Sequence, residues 1–174
     1  ESDPQSTGYI NSTLPNTNAM SHLALFSTNA ISNDIQFNDG AVRPLKIIAL
    51  EGTVVNASEP APTSCCTLCV GEAMIEATWM ALGQVIPEQV SAMWGRWCAP
   101  ATMGMNPAND RFFADIHFMS KGGGGAVRGY DGWNHVGTPV TLGGLRAPDP
   151  ELHELVTPYK LLQYEIEPDS GGAG

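Results

Sequence analysis

Four consecutive glycines, Gly122 to Gly125, lie in the run Lys121-Gly122-Gly123-Gly124-Gly125-Ala126-Val127-Arg128-Gly129-Tyr130-Asp131-Gly132. Without Cβ atoms the backbone is barely restricted by sterics, so the path of such a loop is set by what it must approach. Upstream, Arg111-Phe112-Phe113-Ala114-Asp115-Ile116-His117-Phe118-Met119 alternates well enough to predict a strand over 111–119. The glycines then fall at a strand end, where the chain can cross an active cleft or another backbone; a tight structural turn is the plain alternative. A Walker-type phosphate loop is excluded, because it needs Gly-Lys-Ser/Thr opening a helix, and Val127 to Trp133 carries two more glycines and no helical stripe.

The remaining elements place this loop. Asn18 to Asn29 reads as a helix with Met20, Leu23, Ala24 and Ala30 on one face and Asn16 or Thr17 as cap. Pro44 to Leu50 reads as a strand, Glu51-Gly52 as a turn and Thr53 to Val55 as a short edge strand. A long helix is predicted from Ser64 to Gly83, capped by Ser64, with Leu68, Ile75, Trp79, Leu82 and Ile86 in its buried stripe and Pro87 ending it. Glu72 interrupts that stripe. A core-facing carboxylate must be paired, hydrogen-bonded or protonated, and an ion-pair role is favoured over a cleft role. A final strand is read from Tyr159 to Glu167. Strands and helices alternate without the period of a doubly wound sheet. The fold class is therefore mixed α/β (α+β), with helices packed on a mixed sheet and the Gly-rich loop at a strand end.

Eighteen acidic residues against eight basic ones give a formal charge of -10, which argues against nucleic acid and anionic membranes as partners. The most apolar stretch, Val70 to Ile86, is interrupted by Glu72, Glu76 and Gln84, so no membrane span is expected. Cys65, Cys66, Cys69 and Cys98 match no zinc ribbon or finger spacing and read as small hydrophobes in a reducing cytosol, so the expected location is cytoplasmic and no metal ligands are assigned. Among the histidines, His22 and His153 read as solvated. His117, sharing a strand face with Asp115, and His135, following the loop directly, are the candidate cleft residues. A Ser120-His117-Asp131 triad can be drawn on paper, but no nucleophile elbow surrounds a serine. The aromatic and cationic interleaving of a single-strand binder is missing, despite Trp94, Trp97 and Trp133.

The Gly-Gly-Gly-Ala-x-Arg-x-x-Asp-Gly run and the closing Pro168-Asp169-Ser170-Gly171-Gly172-Ala173-Gly174 are the most specific parts of a pattern that covers the chain. With Asp3-Pro4-Gln5-Ser6-Thr7-Gly8-Tyr9-Ile10-Asn11, Arg43-Pro44-Leu45 and Glu51-Gly52-Thr53-Val54-Val55-Asn56, it resembles the hydantoinase B family. That family includes B-type halves of 5-oxoprolinases and related subunits of ATP-dependent acetone and acetophenone carboxylases. Its members are several hundred residues long, so residues 1–174 read as one segment of a larger domain, incomplete at both ends and relying on further segments of its own subunit.

The resemblance implies a hydantoinase A-like partner that binds ATP, a small-molecule substrate activated as a phosphate ester, and Mg or Mn in the full complex, bound mostly outside this segment. The metal ligands associated with carboxylase members lie in a His-x-x-Asp-Gly-Gly segment that this chain lacks. By the same resemblance, the amides of Gly122, Gly123, Gly124 and Gly125 and the guanidinium of Arg128 are candidate donors to phosphoryl or carboxyl oxygens, with Asp131 orienting Arg128 or meeting a metal-bound water. Arg128, Asp131, His135 and His117 are thus the candidate catalytic residues. Amidohydrolase members continue after Asp-Gly into an Asn-Thr-x-x-Thr-Pro-x-Glu pattern. This chain instead has Gly137-Thr138-Pro139-Val140-Thr141-Leu142-Gly143-Gly144-Leu145, and the departure looks closer to ketone carboxylases. The expected function is a catalytic-subunit segment of an ATP-dependent ketone carboxylase, inactive in isolation. The alternatives are cyclic amide hydrolysis and a non-catalytic assembly role.

Overall fold

The computed structural model describes residues 3–32, 36, 38–96, 100–118, 120–141 and 143–170, and side chains of 29–32 are not among those described. Cys98, Trp97, Met119, Leu142 and the closing Gly171 to Gly174 lie outside them, as does the side chain of Ala30.

Helix α1, Leu14–Ser32, begins four residues before the position expected from the sequence. Thr13 starts it: its carbonyl accepts from Thr17 N at 3.0 Å, and Pro15 fits the first turn, where no N–H is needed. Asn16 is therefore inside the helix, its amide nitrogen donating to Ser12 Oγ at 2.8 Å. The entry is anchored by Asn11, which is fully buried: Nδ2 donates to the Gln5 and Pro62 carbonyls at 2.9 and 3.0 Å, and Oδ1 accepts from Gln5 N.

A short helix α2, Asp39–Val42, precedes residues 44–50, which form no strand. Leu45, Ile48 and Leu50 are exposed there, and no neighbouring strand is described for them to pair with. Likewise 53–55 is a turn closed by the Thr53↔Asn56 bridge, with Val54 O accepting from Ser12 N at 2.7 Å.

The predicted long helix is two pieces. Thr67–Gly71 is one π turn, in which Gly71 N donates to Cys66 O at 2.8 Å, and helix α3 then runs over Glu72–Leu82. The extra residue in the π turn resets the helical phase. Glu72, Ile75, Glu76 and Trp79, spaced i, i+3, i+4, i+7, become the buried face, while Leu68 and Leu82 are only half-buried. Gly71 lets α1 come close, since a Cβ there would sit 3.1 Å from Met20 Cγ. Met20 and Ala24 of α1 and Ile75 and Trp79 of α3 form the core, and the Trp79 indole ties the helices by donating to Ser27 Oγ at 2.7 Å and Ala24 O at 3.2 Å. Cys65 and Cys66 are half-buried and Cys69 is exposed, so the last is not the buried hydrophobe expected.

Strands β1, Ala101–Asn106, and β2, Arg111–Ile116, make an antiparallel hairpin in register Ala101↔Ile116 to Asn106↔Arg111. Asn106 closes its turn, accepting from Asp110 N at its carbonyl and from Ala108 N at Oδ1. The aromatic, Gly/Pro-broken stretch before β2 gave no sign of β1. Helix α4, Pro150–Val156, is capped by Asp149, whose carboxylate accepts from Glu151 N and Leu152 N. Residues 159–167, read as a strand, are irregular. The class is mixed α/β, with a hairpin as its sheet element. No helix among the described residues is long and apolar enough to cross a membrane.

Candidate functional site

The glycine run lies between two other backbone stretches, 92–95 and 133–136. On one side Ala92 N donates to Ala126 O at 2.8 Å and Gly95 N to Gly123 O at 2.9 Å. On the other, Gly124 N donates to Trp133 O at 2.7 Å and Val136 N to Gly122 O at 3.2 Å. A Cβ on Gly122 or Gly125 would overlap the carbonyl oxygen of Gly95 or Ala92, and one on Gly123 would lie 2.8 Å from Trp133 O. The run is glycine because backbone must approach backbone on both sides. Of the two crossings expected from the sequence, the structure shows the backbone one directly.

An anion cradle needs several amides converging on open space. Of the candidate donors in the run, Gly124 N is already bonded to Trp133 O, and the carbonyls of Ala92, Gly95 and Trp133 lie close beside the run.

One face of the run does open on a cleft of about 450 Å³, walled by Trp79, Trp94, Trp133 and Val90, floored by Gly124 and Gly125, with Asp131 at its edge. The Trp79 and Trp94 rings stand 6.2 Å apart, and Trp94 is steadied by its indole N–H donating to Ser91 Oγ at 2.7 Å. Its lining is apolar and aromatic apart from a few polar groups, among them the Asp131 carboxylate, which is the make-up of a small-molecule cleft.

The other sequence candidates do not line that cleft. Arg128 is exposed on the turn closed by Val127 and Tyr130, and lines an adjoining groove with Glu76, Met80 and Pro87 that shares Trp79, Val90, Ser91 and Val127 with the cleft. His135, at φ 56°, pairs through Nε2 with the Tyr164 hydroxyl. His117 sits on the hairpin with Asp115, His153 and Tyr159. Burial, then the hydrogen bond it donates to Asp115, pushes the Tyr159 phenol above its usual range.

Glu72, singled out for its core-facing position, is buried and ion-paired as expected. Arg96 reaches it at 3.4 Å and also bonds Glu76. Burial raises the Glu72 carboxyl above its usual range, and Arg96 offsets this in part. Sequence reasoning did not foresee Glu76 as a partner in this pair. The i, i+4 spacing was the available signal, but Arg96 lies twenty positions further on, with no local pattern to announce it. His153 was likewise read as solvated, yet its side chain is 11% exposed.

The sequence profile of the Hydantoinase B/oxoprolinase family matches residues 1–174. The chain belongs to this family. It is 33% identical over 177 aligned residues to the beta subunit of the caprolactamase of Pseudomonas jessenii, covering all of this chain and 30% of that protein. A protein of Pseudomonas sp. (strain NS671), named provisionally as the B-type subunit of a D-/L-hydantoinase, is 34% identical over 79% of this chain and 22% of its own length. The crystal structure of the ATP-dependent caprolactamase from Pseudomonas jessenii superposes with a TM-score of 0.79 at 31% identity, over 95% of this chain and 29% of that one. The segment thus spans less than a third of these hydantoinase B-type relatives.

Proposed function

We propose that this chain is a segment of the B-type subunit of an ATP-dependent cyclic amide hydrolase, working with an ATP-binding hydantoinase A-like partner on lactam- or hydantoin-like rings. The observation that carries this reading is the end-to-end similarity to the caprolactamase beta subunit. The naming of the relatives as subunits supports a partner chain. The exposed apolar side chains Ile48, Leu50, Leu155 and Leu162 suit a segment covered by other parts of its own subunit.

The tryptophan cleft supports the same substrate class. Its walls match the methylenes of a saturated ring, and the Asp131 carboxylate at the edge is an acceptor for a ring N–H, orienting the amide. His135 and His117 are not assigned to that step, since they line other surfaces, and Arg128 borders the adjoining groove. ATP and its Mg or Mn are assigned mostly to the partner and to other segments, a reading that the engaged Gly124 amide in the middle of the run supports.

Ketone carboxylation was favoured by the departure at Gly137 to Leu145. Gly137, Thr138 and Pro139 are buried and Pro139–Thr141 packs on α3 and the π turn, while the similarity to the caprolactamase beta subunit favours ring hydrolysis. Ring opening by the complete complex with ATP, compared between the wild type and the Trp133→Ala and Asp131→Asn variants, tests the assignment. Trp133→Ala is expected to raise KM, and Asp131→Asn to lower kcat/KM by about a hundredfold. Wild-type constants in both variants would remove the cleft from the site.

A further inference from the structure

Asp115 on β2, His117 just beyond it and His153 on α4 converge although 36 residues separate the two histidines in sequence. Asp115 Oδ2 lies 3.2 Å from His153 Nε2 and 3.9 Å from His117 Nδ1, and all three ligand atoms fall within 4.8 Å of one another. Ligand atoms about 2.05 Å from a tetrahedral zinc are about 3.3 Å apart. Of the three pairs, one is already at that spacing, one needs to close by roughly half an ångström, and the pair of imidazole nitrogens lies within 4.8 Å.

Two further observations point to a cation. His153 Nε2 is buried and makes no hydrogen bond, the 3.2 Å approach to Asp115 being poorly directed. His117 Nε2 is engaged by Thr102 Oγ1 at 3.0 Å, and the other ring nitrogen, Nδ1, is turned toward the Asp115 carboxylate at 3.9 Å. Tyr159 donates to Asp115 and packs on both imidazoles, at 4.9 and 5.3 Å between ring centroids, so each inner group has an outer partner or packing surface.

We propose that Asp115, His117 and His153 form a binding site for a divalent transition-metal ion of the zinc type. Two imidazoles and one carboxylate suit zinc, cobalt or nickel rather than magnesium, which prefers oxygen ligands. With three protein ligands the fourth position is left to water or a substrate oxygen. In structural terms the ion clamps α4 to the hairpin.

The complete subunit, stripped with a chelator and dialysed against zinc(II) or cobalt(II), tests this site apart from any turnover. The wild type is expected to hold one more equivalent than His153→Ala, and its cobalt form to show visible ligand-field absorption that His153→Ala and His117→Ala lack. Thr102→Ala, which keeps all three ligands, should weaken zinc affinity about tenfold or more with the fold unchanged. Equal zinc content and equal cobalt spectra in folded wild type and His153→Ala would reduce the cluster to a packing contact between α4 and the hairpin and overturn the proposal. If the alanine variants do not fold, copper(II) with ascorbate and peptide mapping decides on the wild type. Zinc-protectable oxidation at His117 or His153 supports the site, and its absence at both overturns it.

Discussion

Gly125 faces the carbonyl oxygen of Ala92 so closely that there is no room for a Cβ, and Gly122 stands in the same relation to Gly95. The glycine run is a seam between two backbones, and its chemistry follows from that position. Gly125→Ala and Gly122→Ala are expected to cost about 1–3 kcal/mol or more through overpacking. Gly124→Ala, whose Cβ would press on the Val136 side chain at 3.1 Å and make ordinary contact with Trp94 and Trp133, should cost less, because side chains rather than backbone must give. Denaturant midpoints of the three variants in the complete subunit check this order, and equal losses would contradict the seam.

Glu72 makes stability depend on pH. Burial raises its folded pKa above the ordinary 4.5, with Arg96 opposing. Folding therefore favours the protonated form, and the stability this group contributes is full below the unfolded value and lost as pH rises through the folded one. Glu72→Gln should remove that loss, so the stability difference between variant and wild type should shift in the variant's favour as pH rises from 4.5 through the folded value. Urea unfolding at a series of pH values measures it. A constant difference across that window would mean that Glu72 does not titrate as its burial requires.

Trp79 joins α1 to α3 by packing and by its indole hydrogen bonds. Trp79→Ala is expected to cost about 3–5 kcal/mol, and Trp79→Phe less, since the ring is kept while Ser27 Oγ and Ala24 O lose their donor. Chemical denaturation distinguishes the two. Similar losses would assign the stabilisation to the hydrogen bonds rather than to the buried ring.

Periodicity revealed what local pattern can reveal. Met20, Ala24, Ile75 and Trp79 were on the predicted helical faces, and Arg111 to Ile116 was a strand. The π turn was hidden, because one extra residue changes the phase of a helix without changing its composition. Strand β1 was masked by Gly104 and the neighbouring prolines. Apolar alternation at 44–50 overcalled a strand that lacks a partner among the described residues. At the site, the glycines marked close approach, but which backbones they approach is long-range information. The Asp115–His117–His153 cluster and the Arg96 pairing with Glu72 and Glu76 depend on how separate elements dock, which no spacing rule encodes.

The reaction class is tested most directly by giving the complete subunit, assembled with its ATP-binding partner, two substrate sets side by side. Caprolactam, 5-oxoproline or a hydantoin is supplied with ATP, and acetone or acetophenone is supplied with ATP and bicarbonate. Ring-opened product formed only when ATP is present, with ADP released alongside it and no carboxylated ketone, is the predicted result. ATP-dependent carboxylation of the ketone without amide ring opening would contradict the account.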